Sequence, residues 1–174
     1  MLADGKPIFL IGLPGSGKTT VGKLLSTQLG IPFIDLDDII VQREGRAISE
    51  VFEKEGEDYF RKVEAACLAS LIESKDSKVV ATGGGTPCFF DNLEKMNRDG
   101  VTCYLETFWK ELAARVAPGE SIRPLFKGLA GSEVMTQLQE RFSWRLPFYQ
   151  KAQIIISTEN KLASDVATEL LARL

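Results

Sequence analysis

Five short runs of apolar or β-branched residues punctuate the chain, at Ile8–Ile11, Phe33–Leu36, Lys78–Thr82, Val101–Leu105 and Ile154–Ser157. Between them lie longer stretches with helical periodicity, over Val21–Leu29, Ser49–Phe52, Tyr59–Ile72, Leu93–Arg98, Phe108–Val116, Ser132–Gln150 and Ser164–Leu174. This alternation predicts a parallel sheet with helices on both faces. Ser49 and Ser164 stand where N-caps belong. The stretch Ala117–Gly131 fits neither period. It carries Pro118, Gly119, Gly128 and Gly131 around Arg123-Pro124-Leu125 and Lys127, and reads as a mobile lid within one domain spanning residues 1–174.

The first apolar run leads directly into Gly12-Leu13-Pro14-Gly15-Ser16-Gly17-Lys18-Thr19, followed by Thr20 and a helical stretch. That order of strand, glycine-rich loop and helix is the setting a phosphate loop requires. Glycines at 12, 15 and 17 let successive backbone N–H groups turn inward around an anion, and the helix end adds its own positive potential. Lys18 can reach the β- and γ-phosphates. The Thr19 hydroxyl can serve as one oxygen ligand of a magnesium ion that keeps most of its waters. Thr20 reads as the next helical residue, closing a nucleotide-binding run from Gly12 to Thr20. A nucleoside triphosphate with Mg2+ is the ligand pair this pattern implies.

In open parallel sheets ligands collect beyond the carboxyl ends of the strands, so the residues after each apolar run matter most. The second run delivers Asp35-Leu36-Asp37-Asp38. If the backbone stays extended, Asp35 and Asp37 point to one side. Asp35, nearer the sheet, can hold a magnesium-bound water, while Asp37 can orient or deprotonate an acceptor hydroxyl. Asp38 is read as the cap of a helix through Ile39–Arg43. The third run delivers Gly83-Gly84-Gly85, a place stripped of side chains where a ligand or another backbone must come close. Arg61, Arg123 and Arg145 lie in segments able to fold over the strand ends, and a guanidinium grips carboxylate or phosphate through paired bonds. Glu64, three residues after Arg61 on the predicted helix, is spaced to fix its head.

Composition narrows the chemistry. Lys and Arg total 21 against 24 Asp and Glu, a formal charge of −3, so there is no general basic surface for a nucleic acid backbone. No apolar stretch reaches membrane-spanning length, and the first run reads as a core strand, not a signal peptide. Histidine is absent, which leaves carboxylate, lysine or water as general base and excludes histidine-based zinc or triad chemistry. Cys67, Cys88 and Cys103 show no paired metal spacing and are read as structural thiols of a reducing, cytoplasmic compartment.

With these pieces assembled, the chain resembles the shikimate kinase family. The resemblance rests on Gly12–Thr19, Asp35-Leu36-Asp37, Gly56-Glu57 to Phe60-Arg61 with Glu64, Gly83–Gly85, Arg123-Pro124-Leu125, and Arg145 to Tyr149 in R-L-P-F-Y. It implies a three-layer α/β/α P-loop kinase fold with a five-stranded parallel sheet and a mobile lid. It also implies transfer of the ATP γ-phosphoryl group to a shikimate hydroxyl by a monomer. Under it Asp37, Arg61, Gly83, Gly84, Gly85 and Arg145 bind shikimate, both arginines grip its carboxylate, and Phe52 and Phe60 line the pocket. Lys18 and lid Arg123 stabilise the transferring group, Thr19 binds magnesium with Asp35 behind it through water, and Arg115 stacks on the adenine. Two departures stand out: Thr86-Pro87 follows the glycine triplet where an apolar residue is expected, and Thr158–Lys161 lacks a proline near the adenine. The rival readings are another small-metabolite kinase, acting on gluconate or a nucleoside monophosphate, and a non-catalytic nucleotide switch.

Overall fold

The computed structural model describes residues 5–116 and 131–174. Strands β1 (Ile8–Ile11), β2 (Phe33–Asp35), β3 (Val79–Ala81), β4 (Val101–Glu106) and β5 (Ile154–Ser157) form one sheet in the order β2-β3-β1-β4-β5. Every pairing is parallel, with Phe9 opposite Val80 and Thr102. The central strand β1 is buried along its whole length because both faces are covered. Phe9 and Ile11 face one core, and Ile8 and Leu10 face the other. The second core is closed by α1 (Lys18–Leu29) and α9 (Ala163–Arg173), through Val21, Leu25, Val166 and Leu170.

The first core is closed by α2 (Leu36–Glu44), α3 (Ile48–Glu55), α4 (Glu57–Glu73), α5 (Asn92–Asp99), α6 (Trp109–Val116), α7 (Gly131–Phe142) and α8 (Leu146–Tyr149). This is the three-layer arrangement the alternating periods predict. Among the described residues no helix is long and apolar enough to cross a membrane. The three cysteines are free thiols, Cys67 and Cys103 buried and Cys88 half-buried.

Several local expectations need correcting. The long helix expected over Ser132–Gln150 breaks at Phe142, passes through a 3-10 turn at Ser143–Arg145 and restarts at Leu146. Pro147 explains the break, since its ring has no N–H and would clash with the carbonyl four residues back. The N-cap of α3 is Ala47, not Ser49. Ser164 lies inside α9, whose end is closed instead by the Asp165 carboxylate accepting from the Leu162 amide at 3.3 Å. Asp38 caps nothing; the chain leaves β2 into helix at Leu36, and Asp35 is the cap, accepting from the Asp37 amide at 3.1 Å. Asp37 therefore sits in the first turn of α2, not on extended backbone. The lid expected over Ala117–Gly131, with Arg123, lies outside the described residues except for Gly131, which opens α7.

Candidate active site

The loop from Gly12 to Gly17 joins β1 to α1 at the carboxyl edge of the sheet. Gly17 caps α1 with φ 93°, a left-handed geometry that an L side chain resists, so Lys18 and Thr19 enter the first helical turn. The helix therefore begins three residues before the predicted Val21, and its orphan N–H groups face the loop. Half-buried Lys18 curls over that loop, its ammonium donating to the carbonyls of Gly12 and Leu13 at 2.9 Å each. Thr19 Oγ1 donates to Asp35 Oδ2 at 3.0 Å. One carboxylate thus caps α2 with one oxygen and meets the loop threonine with the other. Hydroxyl and carboxylate oxygens suit magnesium, a hard cation that takes oxygen ligands.

Beside the loop opens a cleft of about 420 Å³, bounded by Gly15 to Val21 on one side and by Arg115, Thr158 and Lys161 on the other. Arg115 donates to the Gly15 carbonyl at 3.2 Å, which brings this predicted adenine residue to the cleft. No sequence motif marks Thr158, Lys161 or Val166 as lining this cleft. Their contribution depends on β5 and α9 packing beside α1, a juxtaposition no local pattern encodes.

On the other side of the loop the glycine triplet acquires a physical reason. A Cβ at Gly83 would lie 2.9 Å from Glu64 Oε1 and 3.4 Å from Asp37 Oδ1. At Gly84 it would lie 2.9 Å from Pro14 Cδ and 3.0 Å from Arg145 Nη1, and at Gly85 2.6 and 2.7 Å from Arg61 Nη1 and Nη2. Three consecutive α-carbons are therefore the floor on which the phosphate loop, the carboxylates of Glu64 and Asp37 and two guanidinium heads converge.

The two arginines are held differently. Arg61 is buried, donating from Nε and Nη2 to Glu57 at 3.1 and 2.9 Å and from Nη1 to buried Glu64 at 2.9 Å. Its head lies 4.2 Å from the Phe89 ring centroid, 5.1 Å from Phe60 and 6.0 Å from Phe52. Phe52 and Phe60 thus support the guanidinium, Phe60 from within the core. Phe89 was not foreseen. Arg145 makes no ion pair among the described residues and rests instead against Phe142 at 4.5 Å and Trp144 at 5.3 Å. A cation braced by aromatic faces, with no acid beside it among the described residues, is ready for an anionic ligand.

Electrostatics follow from this crowding. Burial pushes the Asp37 carboxyl up, with Asp35 and Glu64 adding to it, to about 6. Burial lowers the Lys18 ammonium to about 8, against the attraction of Asp37 and Asp35. An acid and a cation coupled to each other and both tuned toward neutrality mark a candidate reacting centre.

Comparison with known proteins points to one family. The family model described as shikimate kinase matches residues 14–174. The chain belongs to the shikimate kinase family. A shikimate kinase of Parabacteroides distasonis is 44% identical over 162 residues, covering 92% of this chain and 93% of that one. The crystal structure of shikimate kinase from Bacteroides thetaiotaomicron superposes with a TM-score of 0.86 at 36% identity, covering 97% of each chain. The Acinetobacter baumannii shikimate kinase in complex with shikimate gives 0.83 at 34% identity, over 97% of this chain and 92% of that one.

Within the shikimate kinase frame, the departure at Thr86-Pro87 has a structural explanation. Thr86 is fully buried, its hydroxyl donating to Glu64 Oε1 at 2.6 Å, and Pro87 lies at the start of the 3-10 turn Thr86–Cys88. An apolar residue there would leave that buried carboxylate oxygen without its donor.

Proposed function

We propose that this chain transfers the γ-phosphoryl group of ATP to a hydroxyl of shikimate, giving shikimate 3-phosphate and ADP for aromatic amino acid biosynthesis. The observation that carries this reading is the convergence of Pro14, Asp37, Arg61 and Arg145 on Gly83–Gly85. It joins a phosphate cradle to a pocket fitted for an acid that also bears hydroxyls.

ATP lies along the cleft with its phosphates on the amides of Gly12–Thr20 and its base toward Arg115. Lys18 exchanges loop carbonyls for phosphate oxygens. Thr19, with Asp35 behind it, would hold Mg2+, whose charge would offset that of the β- and γ-phosphates. Arg61 and Arg145 bind the shikimate carboxylate while Asp37 accepts from the attacking hydroxyl. The work of the protein is alignment and charge stabilisation, because phosphoryl transfer asks little covalent help. Arg123, from the lid, joins Lys18 on the transferring group. One domain suffices for all of this, acting as a monomer in the cytoplasm without membrane, and the net charge of −3 argues against a nucleic acid partner.

ADP release measured in parallel with shikimate, gluconate and nucleoside monophosphates tests the reading. Turnover should depend on shikimate. Preference for gluconate or a nucleotide, or ATP binding with no acceptor-dependent turnover, refutes it. A further expectation concerns Gly85→Ala. The added methyl falls on the Arg61 head, which Glu57 and Glu64 keep from swinging freely. Displacing that head by about an ångström should raise the shikimate KM by roughly 10- to 100-fold, with ATP affinity nearly unchanged. Equal shifts for both substrates would contradict it.

A further inference from the structure

We infer that Thr86 is a positioning residue for acceptor binding, its hydroxyl setting the orientation of Glu64 and, through it, of the Arg61 guanidinium. The inference rests on the reading that Arg61 grips the acceptor carboxylate.

Glu64 is 1% exposed and Thr86 fully buried. The two carboxylate oxygens have separate tasks: Oε2 accepts from Arg61 Nη1 at 2.9 Å, and Oε1 accepts from Thr86 Oγ1 at 2.6 Å. A carboxylate is planar, so fixing one oxygen fixes the direction of the other. Thr86 is itself immobile. Its amide donates to the Gly83 carbonyl at 3.1 Å, its own carbonyl accepts from Asn92 Nδ2 at 3.0 Å, and Pro87 sets the backbone that follows.

What this achieves is a matter of counting donors. A guanidinium has five N–H groups, and Arg61 commits three, two to Glu57 and one to Glu64. Two remain, the number a bidentate grip on a carboxylate needs. Without the Thr86 hydroxyl, Glu64 Oε1 becomes a buried acceptor without its donor, and the guanidinium already bonded to Oε2 has N–H groups left to supply one. The carboxylate would then turn onto Arg61 with both oxygens and take a bond meant for the ligand. Thr86 keeps Glu64 singly engaged and so keeps Arg61 available.

The test separates this role from packing. Thr86→Val preserves shape and removes the donor. It should raise the shikimate Kd by calorimetry, and KM with it, about tenfold, while ATP affinity and kcat stay within about twofold. Thr86→Ser, which keeps the hydroxyl, should stay close to wild type. In an Arg61→Ala background the valine change should add nothing, because its effect passes through Arg61. Equal weakening by Val and Ser, parallel loss of ATP binding, or full additivity with Arg61→Ala would overturn the inference. If Val does not fold, Thr86→Ala gives the same readout, and failure of both to fold would make Thr86 structural and refute the role. Should Arg61→Ala alone leave shikimate binding intact, the reading of the acceptor site fails and this inference with it. Should Arg61→Ala weaken binding and Thr86→Val not, only this inference fails.

Discussion

Asp37→Asn should lower kcat by roughly 10²- to 10³-fold and at the same time make the protein more stable. The activity loss follows from the position of the carboxylate, 3.4 Å from the Cβ site of Gly83 and electrostatically linked to Lys18. An amide at that position can still accept a hydrogen bond but cannot take a proton. The stability gain follows first from the burial of this carboxyl and then from crowding by Asp35 and Glu64. An acid whose folded-state pKa is about 6 in place of 3.8 weakens the fold by up to roughly 3 kcal/mol once ionised. Partial solvent exposure of Asp37 brings that to about 1 to 2 kcal/mol.

The sign fixes the pH window. Below about 4 both folded and unfolded states hold the proton and the penalty vanishes. Between about 4 and 6 only the unfolded state has released it, so the wild type loses stability relative to the variant as pH rises, and above 6 the gap is constant. Chemical denaturation at pH 4, 6 and 8 checks this. In the same range kcat/KM of the wild type should be bell-shaped. Its acid limb near 6 reports Asp37 losing function on protonation, and its alkaline limb near 8 reports Lys18 losing its charge. An acid limb that persists in Asp37→Asn, or a variant with near-normal turnover, would remove Asp37 from the role of base.

How much of this was legible in the sequence depends on the range of the interactions. Gly12–Thr19 announces itself because strand, loop and helix are contiguous, and the five apolar runs match the five strands to within a residue or two at each end. Asp35 and Asp37 were placed in the site by their location at a strand exit, but the geometry assumed for them was wrong. A carboxylate that can accept from the amide two residues on turns the chain into helix, and that local competition outweighed extension. The spacing of Arg61 and Glu64 correctly announced their ion pair. By contrast, nothing near Glu64 in the chain points to Thr86, 22 residues away, as its second partner. Phe89 against Arg61 and Lys161 in the nucleotide cleft were hidden for the same reason. The triplet's purpose was legible only as a lack of side chains; which groups fill the space is a property of the folded chain.

The two guanidinium groups should also separate by experiment, since the proposed clamp gives them one ligand and the fold gives them different surroundings. Arg61→Ala should reduce shikimate affinity by about 100-fold or more, because a charge-assisted bidentate contact is lost. It should also destabilise the fold by roughly 3 to 5 kcal/mol, because Glu64 is left as a buried charge with its cation removed. Arg145→Ala should weaken shikimate binding comparably and leave stability within about 1 kcal/mol, since no acid among the described residues depends on Arg145 and its contacts are aromatic faces. ATP affinity should be little changed in both. Calorimetric titration with shikimate beside urea unfolding of each variant resolves the matter, and adding Glu64→Gln to Arg61→Ala should restore much of the lost stability without restoring binding. Equal destabilisation by the two arginine variants, or no recovery in the double variant, would mean that the buried pair is not the reason Arg61 differs. Unchanged shikimate binding in Arg145→Ala would remove that residue from the clamp and leave Arg61 to hold the carboxylate alone.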